Sequence, residues 1–258
     1  MKFPQRELEK IVKKICLKNK INFNSLSQGF VLELSKKNKT EYIYGYNFPC
    51  NSVTSSKICD DKSAISEILS LKKIPNIEHV FFMNDFFTQD EVIKTFKKFK
   101  NNVVVKPNNG TGGKDVYHCT TTKDLTIAID KVLSHSINFT ISPFYNYQNE
   151  YRLIMYNNKC YISYKKERGG DWRHNLALGA TPNESIEKNI LKKLIELAIS
   201  VIKVIKINFC SVDIAEINNN TFKIIEINSG VMMEKYSLTN YEKTYKLYEL
   251  VITNLFSL

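Results

Sequence analysis

The chain carries no Cys-x-x-Cys pair, no hydrophobic run long enough to cross a bilayer, and no Lys/Arg run longer than two residues. Each absence removes a class. Its six cysteines (Cys16, Cys50, Cys59, Cys119, Cys160 and Cys210) are scattered, so they read as reduced, mostly structural thiols of a cytosolic protein. The longest apolar stretches, IVKKICL and LIELAISVIKVI, are cut by Lys or Glu, which excludes a membrane-spanning helix. Met1-Lys2-Phe3-Pro4 leads directly into a charged helix pattern, so no secretory leader is expected and the location is read as cytoplasmic. Net charge is +11, but the lysines are dispersed and form no concentrated nucleic-acid footprint. What survives is a positive field that favours anionic substrates such as nucleotides and carboxylates.

With 258 residues, 43% hydrophobic, 15 Phe and 14 Tyr, the chain can bury a substantial core as one large domain or two small ones. No internal repeat or low-complexity linker interrupts it. Leu8, Ile11, Val12, Ile15 and Cys16 lie on one helical stripe within residues 5–19. Phe30–Leu34 and Glu41–Tyr46 read as a hairpin, residues 51–56 as a loop, and Asp60/Asp61 as the cap of a helix through about Lys72. His79–Phe82 is a short strand, and Thr88-Gln89-Asp90-Glu91 is a capping box opening a helix to about Lys100. A helix over 123–134, a strand over 139–142, and two strands turned at Asn157-Asn158 follow. Thr181-Pro182-Asn183-Glu184 is expected to start a long helix to Lys203, with Pro at its first position, and Thr239-Asn240-Tyr241-Glu242 a final one. Helices mixed with hairpins indicate an α+β fold.

Three stretches carry chemistry. The first, Cys210–Gly230, reads as a β-hairpin around Asn218-Asn219-Asn220. A tight turn at Asn219-Asn220 sets Asp213 opposite Glu226, with Asn228 on the same face and Val212, Ile214, Ile225 and Ile227 on the other. Facing carboxylates repel unless a positive charge intervenes, and oxygen-only ligands suit a hard cation, Mg²⁺ first. An ordinary hairpin with its acidic face in water fits this stretch equally well. In the second, Val103–Val105 deliver Lys106 to a glycine-rich loop (Gly110, Gly112, Gly113) and a strand over 116–119. Glycines admit backbone N–H groups close to phosphate oxygens. It is no P-loop, since no GK[ST] opens a helix. The third sets Glu150 and Arg152 on one face of a strand. Downstream, Lys165, Lys166, Arg168 and Arg173 gather around Gly169-Gly170, the makings of a cationic clamp or of a solvated basic loop. Trp172 could be core, and His174 is given no catalytic role.

Together these stretches resemble the ATP-grasp superfamily, most closely its RimK-type and glutathione-synthetase-like carboxylate–amine ligases, over about residues 57 to 235. Asp61-Lys62 with Ile74-Pro75, VVVKPNNGTGGKDV, Ile141-Ser142-Pro143-Phe144 with Glu150-Tyr151-Arg152, GGDWRHNLALGA, and VDIAEI…EINSG occur in the family's order. The resemblance implies two α+β lobes clasping ATP: a short N-terminal region (1–56), an N-lobe with the glycine lid (57–142) and a C-lobe with the metal hairpin (143–258). It implies that Lys62 and Lys106 contact the α/β phosphates and that Gly110, Gly112 and Gly113 cover the β/γ phosphates. The backbone from Ser142 through Phe144 to Tyr145 would read adenine, and Glu150 would take the ribose. Asp213, Glu226 and Asn228 would hold two Mg²⁺ ions, with Mn²⁺ able to replace them. Arg152, Lys166 and Arg173 would stabilise the transferring phosphoryl group. Arg173, Asn175, Ser229 and Gly230 would meet a substrate.

The implied activity is an ADP-forming ligase that joins an amino acid or peptide carboxylate to an amine through an acyl phosphate. Peptide- or protein-bound acceptors are included. Alternatives are an ATP-grasp kinase acting on a hydroxyl and an ATP-binding module without turnover. Neither a membrane nor nucleic acid is expected as partner, and a homodimer could compensate for the short N-terminus. Two departures stand out: Pro143 replaces the usual hinge Glu, and NSGVMME (228–234) replaces the frequent NSSPG tail.

Overall fold

The computed structural model describes residues 6–257 apart from 111, 148, 171, 175, 177, 178 and 219. In chain order the first elements are α1 (Glu7–Lys18), β1 (Asn22–Leu26), β2 (Val31–Lys36), β3 (Lys39–Tyr44), α2 (Val53–Asp60) and α3 (Lys62–Leu71). Next come β4 (Val80–Met83), α4 (Gln89–Lys98), β5 (Val103–Lys106), β6 (Tyr117–Cys119), α5 (Thr122–Leu133) and β7 (Asn138–Pro143). The remainder is β8 (Asn149–Tyr156), β9 (Lys159–Glu167), β10 (Thr181–Asn183), α6 (Lys188–Ile205), β11 (Phe209–Asn218), β12 (Thr221–Asn228), α7 (Glu234–Ser237) and α8 (Tyr241–Leu255).

The strands form three sheets, ordered β1-β2-β3, β4-β7-β5-β6 and β10-β9-β8-β11-β12. All their pairings are antiparallel. Helices and sheets together make the α+β class. Helices α4 and α5 bury Val92, Phe96, Leu125 and Val132 against Val103, Val105, Phe139 and Ile141 of the four-stranded sheet. Helix α6 puts Leu194, Ala198, Val201 and Ile202 against one face of the five-stranded sheet, where Leu153, Met155, Val212 and Ile214 point. The small N-terminal sheet does not stand apart. Leu8, Ile11 and Ile15 of α1 share one buried cluster with Leu32, Leu34 and Ile43, with Tyr248, Val251 and Ile252 of α8, and with Phe209.

Several local expectations are corrected. Residues 51–56 are not a loop: Ser52 accepts from the Ser55 amide and caps α2, and the chain breaks at Asp61, which caps α3 through the Ala64 amide at 2.8 Å. Strand β1 (NFNSL) was not anticipated, because its polar, mostly exposed residues carry no hydrophobic alternation. Thr181-Pro182-Asn183 does not start a helix but pairs with β9, Pro182 lying opposite Lys166. An edge strand and a helix's first turn both tolerate a residue without N–H, so the proline signal was ambiguous. At α8 the cap is Asn240, not Thr239, and no capping box forms. The Thr88–Glu91 box does form, with both hydrogen bonds present.

The hairpin register matches expectation at its functional end: Asp213 pairs with Glu226, Val212 with Ile227, and Ser211 with Asn228. A bulge then shifts Ile214 onto Ile224. One extra residue on β12 sends Ile224, not Ile225, into the core, where Ile224 is 1% exposed. Ile225 turns instead to the cleft between the two larger sheets.

All six cysteines are unpaired, and burial pushes each thiol above its usual value, Cys59 up to about 12 and Cys50 up to about 11. Among the described residues, no helix is long and apolar enough to cross a membrane.

Because the N-terminal helix packs into the same cluster as α8, Ile15→Ala should destabilise the whole chain by roughly 2–5 kcal/mol. Urea unfolding followed by circular dichroism should stay a single transition. A separate early transition would mean that the N-terminal region folds independently.

Candidate active site

A cleft partly open to solvent lies between the four- and five-stranded sheets. Lys62, Lys106, Gly110, Gly112, Gly113, Ser142, Phe144, Tyr145, Glu150, Lys166, Arg173 and Glu226 all line it. Arg152, Asp213 and Asn228 stand just behind that wall, and Ser229 and Gly230 beyond it. Asn175 lies outside the described residues.

Alternation along β8 and β11 builds the floor. Glu150 and Arg152 face the same side as Asp213, because Asp213 pairs with Arg152 across the sheet. Arg152 grips Asp213 in a bidentate pair, Nε to Oδ1 at 2.7 Å and a terminal nitrogen to Oδ2 at 2.6 Å. Lys166 adds a third bond to Asp213 Oδ2 at 2.8 Å and also contacts Glu150 Oε1. Asp213 is 1% exposed and Lys166 3%. Burial alone would raise the Asp213 carboxyl, but Arg152 and Lys166 outweigh it and hold it well below the usual carboxylate range. Conversely, burial and Arg152 would lower the Lys166 ammonium, yet Asp213, Glu150 and Glu226 keep it raised.

The opposite wall carries the other cations. Lys62, at the start of α3, donates to the carbonyls of Asn108 (3.1 Å) and Gly110 (2.6 Å), bracing the glycine loop from its root. Gly112 and Gly113 take φ of 71° and 77°, a region that side chains rarely adopt, and a Cβ on Gly112 would meet nothing within 4 Å. Arg173 Nη1 donates to Gly113 O at 3.0 Å, so the basic loop reaches across to the lid. Burial, reinforced by neighbouring Lys62, pushes the Lys106 ammonium down to about 8 despite Glu226 and Glu150. Burial likewise lowers Lys62.

At the hinge, Phe144 stacks on His118 (centroids 3.8 Å apart) and meets Trp172 edge-on at 5.4 Å. Trp172 is therefore a cleft residue, 36% exposed, and not core. The Phe144 amide is committed to Asn102 O at 2.9 Å, and Pro143 has no N–H, which leaves Tyr145 as the donor of that segment.

Sequence reasoning missed Tyr147 and His174. Tyr147 donates to Glu150 Oε2 at 2.9 Å and stacks on His174, centroids 5.1 Å apart. His174 is 2% exposed, accepts at Nε2 from Arg168 (2.8 Å) and meets the Lys166 carbonyl through Nδ1 (3.0 Å), the arrangement of the Nδ1–H tautomer. Both occupy irregular segments, where no periodicity marks an inward-facing side chain. The only available signal was their place beside Glu150 and Arg173.

For a divalent cation the donor set is oxygen-only. Asn228 Nδ2 donates to Glu226 Oε1 at 3.1 Å, which leaves the Asn228 side-chain oxygen out of that bond and able to ligate a cation. Among the described residues, Asp213 Oδ1 accepts only from Arg152 and keeps a lone pair. No cluster of three or more His, Cys, Asp or Glu exists among the described residues, so the set consists of two carboxylates and one carboxamide. These atoms fit a hard ion.

The sequence matches a family model described as a RimK-like ATP-grasp domain over residues 59–248. The chain belongs to the RimK-like ATP-grasp family. It is thereby an ATP-grasp ligase, an enzyme of the ADP-forming, carbon–nitrogen bond-forming class. Among solved structures it resembles D-alanine–D-alanine ligase from Bacillus anthracis, with TM-score 0.63, 15% identity, and 80% of this chain and 70% of that one covered. The same ligase complexed with ATP gives TM-score 0.64, 15% identity and coverage of 80% and 68%. D-alanine–D-alanine ligase from Coxiella burnetii gives 0.59, 16% identity and coverage of 80% and 60%. At these identities the likeness is one of fold. No curated protein sequence matches the chain. The glycine loop, the basic loop and the β11–β12 hairpin all fall inside the family match.

The ATP-grasp floor depends on buried charge, so breaking it should be costly. Arg152→Ala strands Asp213 with one cation and should lose about 3–5 kcal/mol. Asp213, with its folded-state pKa lowered, contributes stability that is complete above its unfolded value of 3.8 and is lost as pH falls through the folded value. The stability gap between wild type and Asp213→Asn, measured by urea unfolding, should therefore be flat at neutral pH and narrow below about pH 4.

Proposed function

We propose that this chain is an ATP-dependent carboxylate–amine ligase that forms an amide through an acyl phosphate, with an amino acid or peptide as substrate. The carrying observation is the convergence of Lys62, Lys106, Lys166 and Arg173 on one cleft that also presents the Glu226 carboxylate. Four cations facing a single anionic wall suit a polyphosphate held with its counter-ion. The likeness to D-alanine–D-alanine ligases, one of them complexed with ATP, supports this reading.

In the proposed reaction the γ-phosphoryl of ATP passes to a substrate carboxylate, and ADP leaves. An amine then attacks the mixed anhydride and expels phosphate. Lys62 and Lys106 hold the α/β phosphates while the backbone of Gly110, Gly112 and Gly113 covers the β/γ end. Ser142, Phe144 and Tyr145 border adenine, and Glu150 reaches the ribose by sharing oxygens it also gives to Tyr147 and Lys166. Lys166 and Arg173 face the moving charge, and Arg152 works through Asp213. Asp213, Glu226 and Asn228 would hold Mg²⁺, which when bound neutralises phosphate charge. Most of the catalytic effect is positioning and charge neutralisation, as in other phosphoryl transfers. Arg173, Asn175, Ser229 and Gly230 are proposed to meet the substrates, whose small or peptide-like nature follows from the ligase class.

Glu226→Gln is the clean test, because Glu226 lines the cleft without belonging to the buried Arg152–Asp213 pair. With ATP, hydroxylamine and a panel of amino acids and short peptides, wild type should release ADP and yield a hydroxamate detected by mass spectrometry. Glu226→Gln should lose about a hundredfold or more, in line with removing a charge-stabilising group. ADP release with no hydroxamate and a phosphorylated hydroxyl compound would overturn the ligase reading in favour of a kinase.

Lys106 supplies a pH signature. It is half charged near pH 8 without ligand, and phosphate binding requires the charged form. ATP affinity should hold below pH 8 and fall toward tenfold per unit above it. Lys106→Arg should flatten that dependence. Trp172, the only tryptophan, lies in the cleft and reports binding by fluorescence.

A further inference from the structure

Ser229 follows the proposed metal-binding Asn228 and is 1% exposed, yet its hydroxyl is not turned into the core. It points to two side chains from outside the C-terminal half, Asn47 Oδ1 at 3.0 Å and Asp60 Oδ1 at 3.4 Å. Asn47 follows β3 of the N-terminal region and lies against Gly230, its carboxamide atoms 3.6–3.7 Å from where a Cβ would stand there. The adjacent Tyr46 carbonyl accepts the Val231 amide at 3.1 Å. This short N-terminal region therefore packs on the segment that directly follows Asn228.

Asp60 is the unexplained member. It ends α2 exposed to solvent in a chain of net charge +11, and no lysine or arginine among the described residues forms a salt bridge with it. Its backbone carbonyl accepts from Asn109 at the root of the glycine loop (3.1 Å), and its charge is felt by Lys62. Asp60 thus stands between the root of the glycine loop and Ser229, the residue that follows Asn228. The neighbouring cleft presents Lys62, Lys106, Lys114 and Arg173, which suit phosphate and carboxylate but repel an ammonium.

We propose that Asp60, with Ser229 and Asn47, is the recognition point for the cationic amino group of the amine substrate. The site takes a primary ammonium, such as that of an amino acid or a peptide N-terminus. Asp60 supplies the counter-charge. The Ser229 hydroxyl, already directed by Asn47, and the Asn47 carboxamide oxygen supply the hydrogen-bonding neighbours. This inference rests on the ligase reading above and adds to it the charge of one substrate and the role of the N-terminal region.

The test uses the full chain, ¹⁵N-labelled, with Mg²⁺ and the non-hydrolysable analogue AMP-PNP. Two probes follow: glycinamide, an ammonium without a carboxylate, and N-acetylglycine, a carboxylate without an ammonium. AMP-PNP should shift the Gly112 and Gly113 amides. If it leaves the cleft unmoved, the nucleotide reading falls, and this inference with it. Once it binds, glycinamide should shift the Asn47 side-chain amide and the Gly230 amide at millimolar concentration, and N-acetylglycine should not. Asp60→Asn should weaken the glycinamide response at least tenfold, and Asp60→Glu should restore part of it. A nucleotide response with no glycinamide response, or an undiminished one in a folded Asp60→Asn, would overturn the assignment and leave the ligase reading standing.

Discussion

Four charged side chains packed under the cleft constrain this molecule more than any other contact. Arg152, Asp213, Lys166 and Glu150 come from three adjacent strands and satisfy one another almost without solvent. Side chains on a strand alternate, so a slip of one residue in β8 or β11 would drive these charges into the layer where Leu153, Met155, Val212 and Ile214 pack beneath α6. That alternative buries unpaired ions, which costs far more than any hydrophobic gain could offset. The network thereby fixes the register of the large sheet, and the register in turn sets Glu226 opposite Asp213.

Function grows out of the same floor. The cleft presents Lys166 from the five-stranded sheet and Lys62 and Lys106 from the opposite wall, and Arg173 holds the glycine loop at Gly113. The lobes contribute differently. Each charge of the floor is paired, whereas Gly112 stands in open space with a positive φ that side chains rarely adopt. Lys106 sits between these regimes, partly desolvated and close to losing its proton, so a phosphate would complete its environment.

The N-terminal region is small but not peripheral. It shares its buried cluster with the final helix and reaches the Ser229–Val231 segment through Tyr46 and Asn47. A short segment can reach so far without being a separate domain, because helix α1 and the strands β1–β3 are anchored by the core they share with α8. Arg6 adds a second tie, bonding Gly45 O at 2.7 Å and lying over Phe30 and Tyr46.

Much of this was legible in one dimension. The α1 stripe, the Thr88 capping box, the lysine–glycine stretch and the pairing of Asp213 with Glu226 follow from local periodicity and turn chemistry, which neighbouring residues decide among themselves. The strand at 181–183, the polar β1, the β12 bulge and the inward turn of Tyr147 and His174 did not, because each depends on a partner distant in sequence. Pro182 is a strand residue only because β9 offers an edge, and Ile225 faces the cleft only because β11 is one residue shorter across the bulge. The sequence by itself determined the fold class, the order of the chemical motifs and the residue types that line the cleft. Only the tertiary structure decided which charges neutralise each other and which stay available. Asp213, expected opposite Glu226 as a metal ligand, is held by Arg152 and Lys166, while Asp60, read only as a helix cap, lies beside Ser229 and forms no salt bridge with a lysine or arginine among the described residues. The physical reason is that a charge's role is set by its desolvation and its neighbours in space, and sequence spacing encodes neither.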